Sequence, residues 1–321
     1  MKKIIGIGNA LTDVLYQLSD NQILSEFSLP LGSMHLVDDN FSSQLKNRLA
    51  AHSREMVAGG SAANTTAGIA ALGGHASFIG CVGEDEIGAF YASTLESNGV
   101  HSLLQKVDKP SGSCVVLISP NGERTMCTSL GAAAALSADD LRAEQFEGCS
   151  LLHLEGYLIS NQDLLIKAAR LAKEQGLMVS IDLASYNVVE SNRAFLLQFI
   201  QDYVDIVFAN EEEAKSLTEK SPREALDEIA EMCAIAVVKL GAKGSYIKTM
   251  GKVWEIAATQ SNCIDTTGAG DLYASGFLYG WTLGCSWDKC GEIGALVAGK
   301  IVEVVGPKLN KETWDYIRSQ I

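Results

Sequence analysis

Short apolar runs alternate along this chain with longer stretches whose apolar residues recur at helical spacing. That alternation constrains the fold more than any other feature. Runs at Lys3–Gly8, Ala76–Cys81, Leu151–Leu154, Leu177–Asp182, Val204–Phe208 and Ala234–Leu240 suit buried strands and are short for buried helices. Between them lie helical patterns at Ser61–Leu72, Asp85–Ser97, Gln162–Gln175, Arg193–Gln201 and Pro222–Met232. Asn98-Gly99 and Gly176 are stop signals, and Ser221-Pro222-Arg223-Glu224 is a capping box with proline at the first helical position. Strands alternating with helices predict parallel pairing, with helices on both faces of the sheet. No linker, repeat or low-complexity stretch divides residues 1–321, which read as one α/β domain.

Two segments break the rhythm. Cys114–Ser119 and Glu123–Thr128 are β-like runs around the turn Pro120-Asn121-Gly122. Residues from about 12 to 40 lack a helical period. The segments 12–40 and 100–130 are therefore assigned to a small β lid over the mouth of a site. Ala269–Gly284 and Trp287–Val304 read as two largely buried helices.

The net charge of −14 excludes a general nucleic-acid surface, because phosphate backbones demand Lys and Arg in excess. One small anion is still admissible, held by backbone N–H groups and a few cations. None of the eight cysteines forms C-x-x-C, so they are expected as buried thiols in a reducing compartment. The apolar N-terminal stretch is too short for a signal-peptide core, and no run approaches the ~18 apolar residues of a membrane span. A soluble, cytoplasmic protein without membrane contact is the expectation.

The strongest local signal is Asp265-Thr266-Thr267-Gly268-Ala269-Gly270-Asp271. Its tiny residues lead into a helix, so backbone N–H groups can approach an anion at the positive end of the dipole. Phosphoryl transfer needs such a cradle, and a carboxylate near the acceptor hydroxyl. Asp271 stands one residue past the cradle. A glycine turn before a helix also serves packing alone. Gly59-Gly60-Ser61-Ala62-Ala63-Asn64 again joins a glycine turn to a helix start, and Asn64 can bond a polyol. Asp13 follows the first strand, where α/β sites open. Taken alone, Asp13 reads equally as a cap or loop acid. Asn210-Glu211-Glu212-Glu213 follows another strand, as a magnesium–phosphate outpost or as an acid-rich helix start. Lys239 and the turn Gly241–Gly244 close the next strand, and Arg124 follows the hairpin turn. Gly294-Ala-Leu-Val-Ala-Gly299-Lys300 imitates a phosphate loop, but Ile301 stands where Ser or Thr must bind magnesium. Gly6-Ile7-Gly8 lacks the third glycine of a dinucleotide fingerprint, which argues against a dehydrogenase.

Together these residues resemble the ribokinase family, also called the PfkB carbohydrate kinases, over nearly the whole chain. The resemblance rests on the 59–64 and 265–271 signatures in the right order, with Asn210-x-x-Glu213 and Gly241-x-x-Gly244 between them. It implies a ribokinase-like three-layer α/β/α sandwich with a Rossmann-type sheet and a small β lid. It implies ATP and Mg2+, with Asp271 as base and the N–H groups of Gly268, Ala269 and Gly270 as anion hole. Asn210 and Glu213 match the magnesium–phosphate motif, with the metal held through water, and Gly241 and Gly244 match the ATP turn. Arg124 reads either as a solvated charge of the flap or as a cation that folds onto the transferring phosphates. Asp265 and Thr267 match positions that bind a monovalent cation such as K+ in several members.

Within the family, Gly8-Asn9-Ala10-Leu11-Thr12-Asp13 is similar to the opening of the adenosine-kinase branch. There the Asp holds ribose hydroxyls and the Asn lies near the base. Gly59, Gly60, Ser61 and Asn64 match further acceptor contacts, and Tyr157 is the aromatic candidate to stack on the base. The resemblance implies phosphorylation of a primary hydroxyl, adenosine to AMP first. A free-sugar kinase acting on ribose or fructose is the alternative, and a catalytically silent nucleotide-binding regulator is the minor one. In some members the lid is also a dimer interface, so a homodimer through the lid is an assembly the resemblance allows.

Overall fold

The computed structural model describes residues 2–321. The first part of the chain runs β1 (Lys3–Ile7), β2 (Leu11–Gln17), α1 (Gln22–Glu26), β3 (Met34–Leu36), α2 (Asp39–Arg48), β4 (Arg54–Gly59) and α3 (Ser61–Ala71). It continues with β5 (His75–Gly83), α4 (Glu86–Ser97), β6 (Val100–Val107), β7 (Ser113–Ile118), β8 (Arg124–Ser129), β9 (Cys149–Glu155) and α5 (Gln162–Glu174). Next come β10 (Met178–Asp182), α6 (Tyr186–Tyr203), β11 (Ile206–Asn210), α7 (Glu211–Thr218), α8 (Pro222–Met232) and β12 (Ile235–Lys239). The last elements are β13 (Ser245–Thr249), β14 (Lys252–Ile256), α9 (Ala269–Thr282), α10 (Trp287–Ile301) and α11 (Lys311–Gln320).

Nine strands form one sheet in the order β14-β13-β12-β11-β10-β9-β1-β5-β6. Pairing is parallel from β6 to β12, and β13 and β14 are added antiparallel. Successive strand residues point to opposite faces. Ile5, Leu152, Val207 and Ala236 therefore pack under α5–α8. Their neighbours Ile4, Leu151, Ile206 and Ile235 pack under α9 and α10. Both faces are covered, which is why these strands read as unbroken apolar runs.

A second, five-stranded sheet has the order β3-β8-β7-β2-β4. One face packs on α1 and α2 through Val14, Tyr16, Val115, Leu117, Ile23 and Leu45. The chain passes between the two sheets at 8–11, 59–61, 107–113 and 129–131. These crossings are tight. Gly60 has φ +97°, and a Cβ there would lie 2.3 Å from the carbonyl oxygen of Asn9.

The structure departs from the sequence expectation in four places. Val100–Val107, expected in the lid, is the edge strand of the large sheet, paired in parallel with β5. The small sheet instead takes Arg54–Gly59, whose half-exposed residues show no apolar run. Helix α6 starts at Tyr186 rather than Arg193, because it is two helical pieces joined at Asn192 (φ −130°, ψ 18°). The Gly294–Lys300 decoy lies inside α10. All eight cysteines are free thiols, but Cys263 is exposed where burial was expected.

Candidate active site

Four neighbouring parallel strands each end on a polar residue: β9 on Glu155, β10 on Asp182, β11 on Asn210 and β12 on Lys239. Their register places Glu155 opposite Asp182 and Asn210 opposite Lys239. The carboxyl ends of parallel strands are where α/β folds open their sites. Helices α3 and α9 begin over this row.

The turn into α9 is built by Asp265. Its Oδ1 accepts from the Thr267 N–H at 2.9 Å and the Thr267 hydroxyl at 2.7 Å, and its Oδ2 from the Gly306 N–H at 2.8 Å. Burial works against the Asp265 carboxylate, but those bonds outweigh it and hold its pKa below the ordinary value. Arg124 reaches the same carboxylate at 3.7 Å. Gly268 sits at φ +76° against Pro307, a conformation glycine alone takes without strain. The Ala269 N–H donates to the Thr266 carbonyl at 3.1 Å. The first helical bond runs from the Leu272 N–H to the Gly268 carbonyl, so the geometry of a first turn leaves the N–H groups of Gly270 and Asp271 without a helical partner.

Asp271 is gripped by α3. The Ser61 hydroxyl donates to its Oδ1 at 2.6 Å and the Asn64 amide to its Oδ2 at 2.9 Å. Burial pushes its pKa up to about 6, with Asp182 adding to the rise while the two hydrogen bonds and Lys239 hold it back. Ser61 and Asn64, expected as acceptor contacts, are thus turned onto Asp271.

Two acids that the sequence reading passed over complete the floor. Glu155 accepts from the Asn9 N–H at 2.9 Å, the Asn9 amide at 2.8 Å and the Ala62 N–H at 2.9 Å. It thereby ties the first sheet crossing to the start of α3. Burial raises its pKa to about 7 in spite of those bonds. Asp182 accepts from the Lys239 ammonium at 2.6 Å, both side chains nearly out of solvent. Burial opposes the charge on Lys239, but Asp182, Glu213 and Asp271 outweigh it and hold the ammonium protonated. Glu155 and Asp182 look in sequence like any acid after an apolar run. Their shared position at the ends of paired strands is the signal that finds them.

Asn210 and Glu213 form a reciprocal cap on α7. Asn210 Oδ1 accepts from the Glu213 N–H at 2.8 Å, and the Glu213 carboxylate accepts from the Asn210 N–H at 2.8 Å and its amide at 2.7 Å. The structure shows the helix-start reading of this motif, and the cap it forms faces the cleft. Burial, with Asp182 beside it, pushes the Glu213 pKa well up.

Asp13 reaches the cleft from the middle of β2. Burial raises its pKa to about 6, against the cations of Arg124 and Lys308. The cleft encloses about 1150 Å³ and runs between the two sheets. It brings together Asn9, Asp13, Gly59, Gly60, Ser61, Asn64, Tyr157, Asn210, Glu213, Lys239, Gly241, Gly244 and the turn 267–271. Arg124 and Asp265 stand outside its wall as a pair. Tyr157 is 47% exposed, with its hydroxyl 3.4 Å from the Ala184 carbonyl. Over Asp13 the small sheet adds an apolar wall of Leu11, Met34, Leu36, Met126 and Leu130, and Met34 and Leu36 are 73% and 75% exposed. No cluster of three metal-ligating side chains occurs among the described residues.

Residues 33–314 match the pfkB family carbohydrate kinase. The fold superposes on an adenosine kinase from Sinorhizobium meliloti with a TM-score of 0.87, at 32% identity, over 100% of this chain and 99% of the other. A probable sugar kinase from Rhizobium etli gives a TM-score of 0.87 and 32% identity over 99% and 98% of the two chains. The adenosine kinase of Dictyostelium discoideum is 30% identical over 95% of each chain.

Proposed function

Because the chain belongs to the pfkB family of carbohydrate kinases, we propose that Asp271 accepts the proton of a nucleoside 5′-hydroxyl and that adenosine is the preferred acceptor. The enzyme is an ATP-dependent kinase with an alcohol group as acceptor, and the fold is ribokinase-like. The apolar wall carries the choice of a nucleoside. A free sugar offers hydroxyls to Asp13 and Asn9 and nothing flat for Leu11, Met34, Leu36, Met126 and Leu130 to cover. A nucleobase has that apolar face. Tyr157 and Asn9 are the neighbouring base contacts in this reading.

Asp13 holds the ribose hydroxyls. The Gly268–Gly270 turn and Lys239 lie toward the transferring phosphate, with Arg124 entering from the small sheet. Gly241 and Gly244 border the space for the adenine of ATP. Closing the small sheet over the cleft excludes water, which suppresses loss of the phosphoryl group to hydrolysis. In the step itself the acceptor oxygen forms its bond to the γ-phosphorus while the β–γ bridging bond breaks. The hydroxyl proton passes to Asp271 late, as a loose transition state allows.

Use of Mg2+ is general to this family. The site fits it: Asp182, Glu213 and Asp271 oppose Lys239 alone, and crowding of acids helps raise the Glu213 pKa. Mg2+ is commonly held by one or two carboxylates, waters and substrate phosphates rather than by an all-protein cage. Glu213 through water, with Asn210 orienting it, would hold the ion, which neutralises phosphate charge. A K+ site at Asp265 and Thr267 belongs to this proposal, and an unchanged rate on replacing K+ with Na+ removes it. So does a homodimer through the small sheet, checked by light scattering. The free thiols support placing the enzyme in the cytoplasm.

The deciding experiment measures ADP formation with adenosine, guanosine, inosine, ribose and fructose. Adenosine is expected to give the highest kcat/KM. Strong turnover of a free hexose with none of adenosine overturns the acceptor assignment.

A further inference from the structure

A second cavity of about 340 Å³ lies between α3, α4 and the C-terminal segment that includes α11. Its volume is at the small end of ligand pockets. Its charge is the unusual property. The chain as a whole carries −14, yet the cavity wall contains Lys308, Lys311 and Arg318 and no Asp or Glu. Arg318 is fixed at the rim by donating to the Ala71 carbonyl and pairing with Asp315. Lys308 and Lys311 have no ion pair among the described residues. The rest of the wall mixes apolar Ala63, Ala67, Ala71 and Trp314 with polar Asn64, Thr94, Ser97 and Asn98. Three solvent-exposed cations around one cavity, with Trp314 and small alanines beside them, suit an anion with a compact carbon part.

The cavity is not isolated from the catalytic cleft. Gly59, Asn64 and Pro307 line both. Asn64 donates to Asp271, and Pro307 packs on Gly268 of the anion cradle. Lys308 acts electrostatically on Asp13 and Glu55, and its charge lowers the Asp13 pKa.

We infer that this cavity is a second ligand site for a small phosphate monoester, such as a sugar phosphate, and that its occupancy weakens hold on the acceptor. A dianion beside Lys308 cancels the cation that favours the Asp13 carboxylate. Less of Asp13 is then ionised at neutral pH, and the acceptor hydroxyls lose their charged partner. The KM for acceptor rises while kcat stays. The second half of the inference rests on the acceptor role given above to Asp13; the first half does not.

The test separates the two. Equilibrium dialysis of labelled ribose 5-phosphate is run with excess MgATP occupying the catalytic cleft, on the wild type and on the double variant Lys311→Gln/Arg318→Gln. One MgATP-resistant site per wild-type chain is expected, with at least tenfold weaker binding in the variant and weaker binding of inorganic phosphate than of the monoester. Absence of a resistant site, equal binding by the variant, or phosphate binding tighter than the monoester overturns the site. No turnover is involved, so this arm is independent of the acceptor assignment. In the kinetic arm, ribose 5-phosphate should raise the acceptor KM several-fold in the wild type and not in the variant, whose basal rate is unchanged. A fall in kcat alone, or an unchanged KM with the site occupied, overturns the coupling.

Discussion

At the scale of single residues, the site works by holding carboxylates where water would normally stabilise them. Asp271 is the clearest instance, with Ser61 and Asn64 each taking one of its oxygens. Its pKa of about 6 makes it a stronger base than an ordinary Asp and leaves it mostly ionised at pH 7. Asp271→Asn is expected to lower kcat by about 10²–10⁴-fold, the usual worth of a positioned base. ATP affinity, read by calorimetry, should change little; near-normal turnover would remove Asp271 from the base role. The sign for pH follows from the charge the base needs. The wild-type rate should rise with pH through about 6 and then level off. A rate constant down to pH 4.5 would show that Asp271 titrates as an exposed acid does. Asp271 and Asp13 were readable in the sequence because each adjoins a marked turn or strand end. Glu155 and Asp182 were not. An acid after an apolar run is the same pattern as a cap, and only strand order brings the two side by side.

At the scale of elements, the sequence showed most of what the large sheet contains, because strands buried on both faces leave apolar runs. It missed β4 and misplaced β6 because both are sheet edges with mixed burial, so neither carries a clean period. The contact of α9 with α10 shows why the C-terminal third is rich in glycine. A Cβ at Gly276 would meet the Ile293 carbonyl oxygen at 2.7 Å and the Gly294 Cα at 2.9 Å. Those neighbours are backbone and cannot rotate away. Gly276→Ala is therefore expected to destabilise the fold by about 1–3 kcal/mol, as overpacked cores do, despite alanine's better helix propensity. Urea denaturation checks this; an unchanged or higher midpoint would mean that the helices separate freely. Because α9 carries Asp271 in its first turn, the variant should also lose activity at temperatures where it remains folded.

At the scale of the whole molecule, the raised acids make stability depend on pH. Asp13 and Asp271 rise from 3.8 to about 6 and Glu155 from 4.5 to about 7. Between those limits the folded chain binds more protons than the unfolded one, so stability falls as pH rises through that window. Asp85 and Asp265, held below 3.8, act in the opposite sense at more acid pH: their contribution is present above 3.8 and is lost as pH falls through their folded values. The Tm without ligand is expected to be higher at pH 6 than at pH 8. A Tm that climbs from pH 6 to pH 8 would show that the buried acids ionise normally.

The strand order has a consequence for how the chain reaches this state. Strand β1 lies between β5 and β9, so Ile7 pairs with Ile79 on one side and Leu154 on the other. As the chain leaves the ribosome, its first strand gains one flanking partner early and the other only when nearly half of the protein has been made. Until then β1 presents a bare apolar edge, and the Asn9 that follows it lacks the Glu155 carboxylate that fixes it. Pairings so distant in sequence form slowly and expose sticky surface meanwhile. The nascent amino-terminal half thus carries an open apolar edge until β9 has been made.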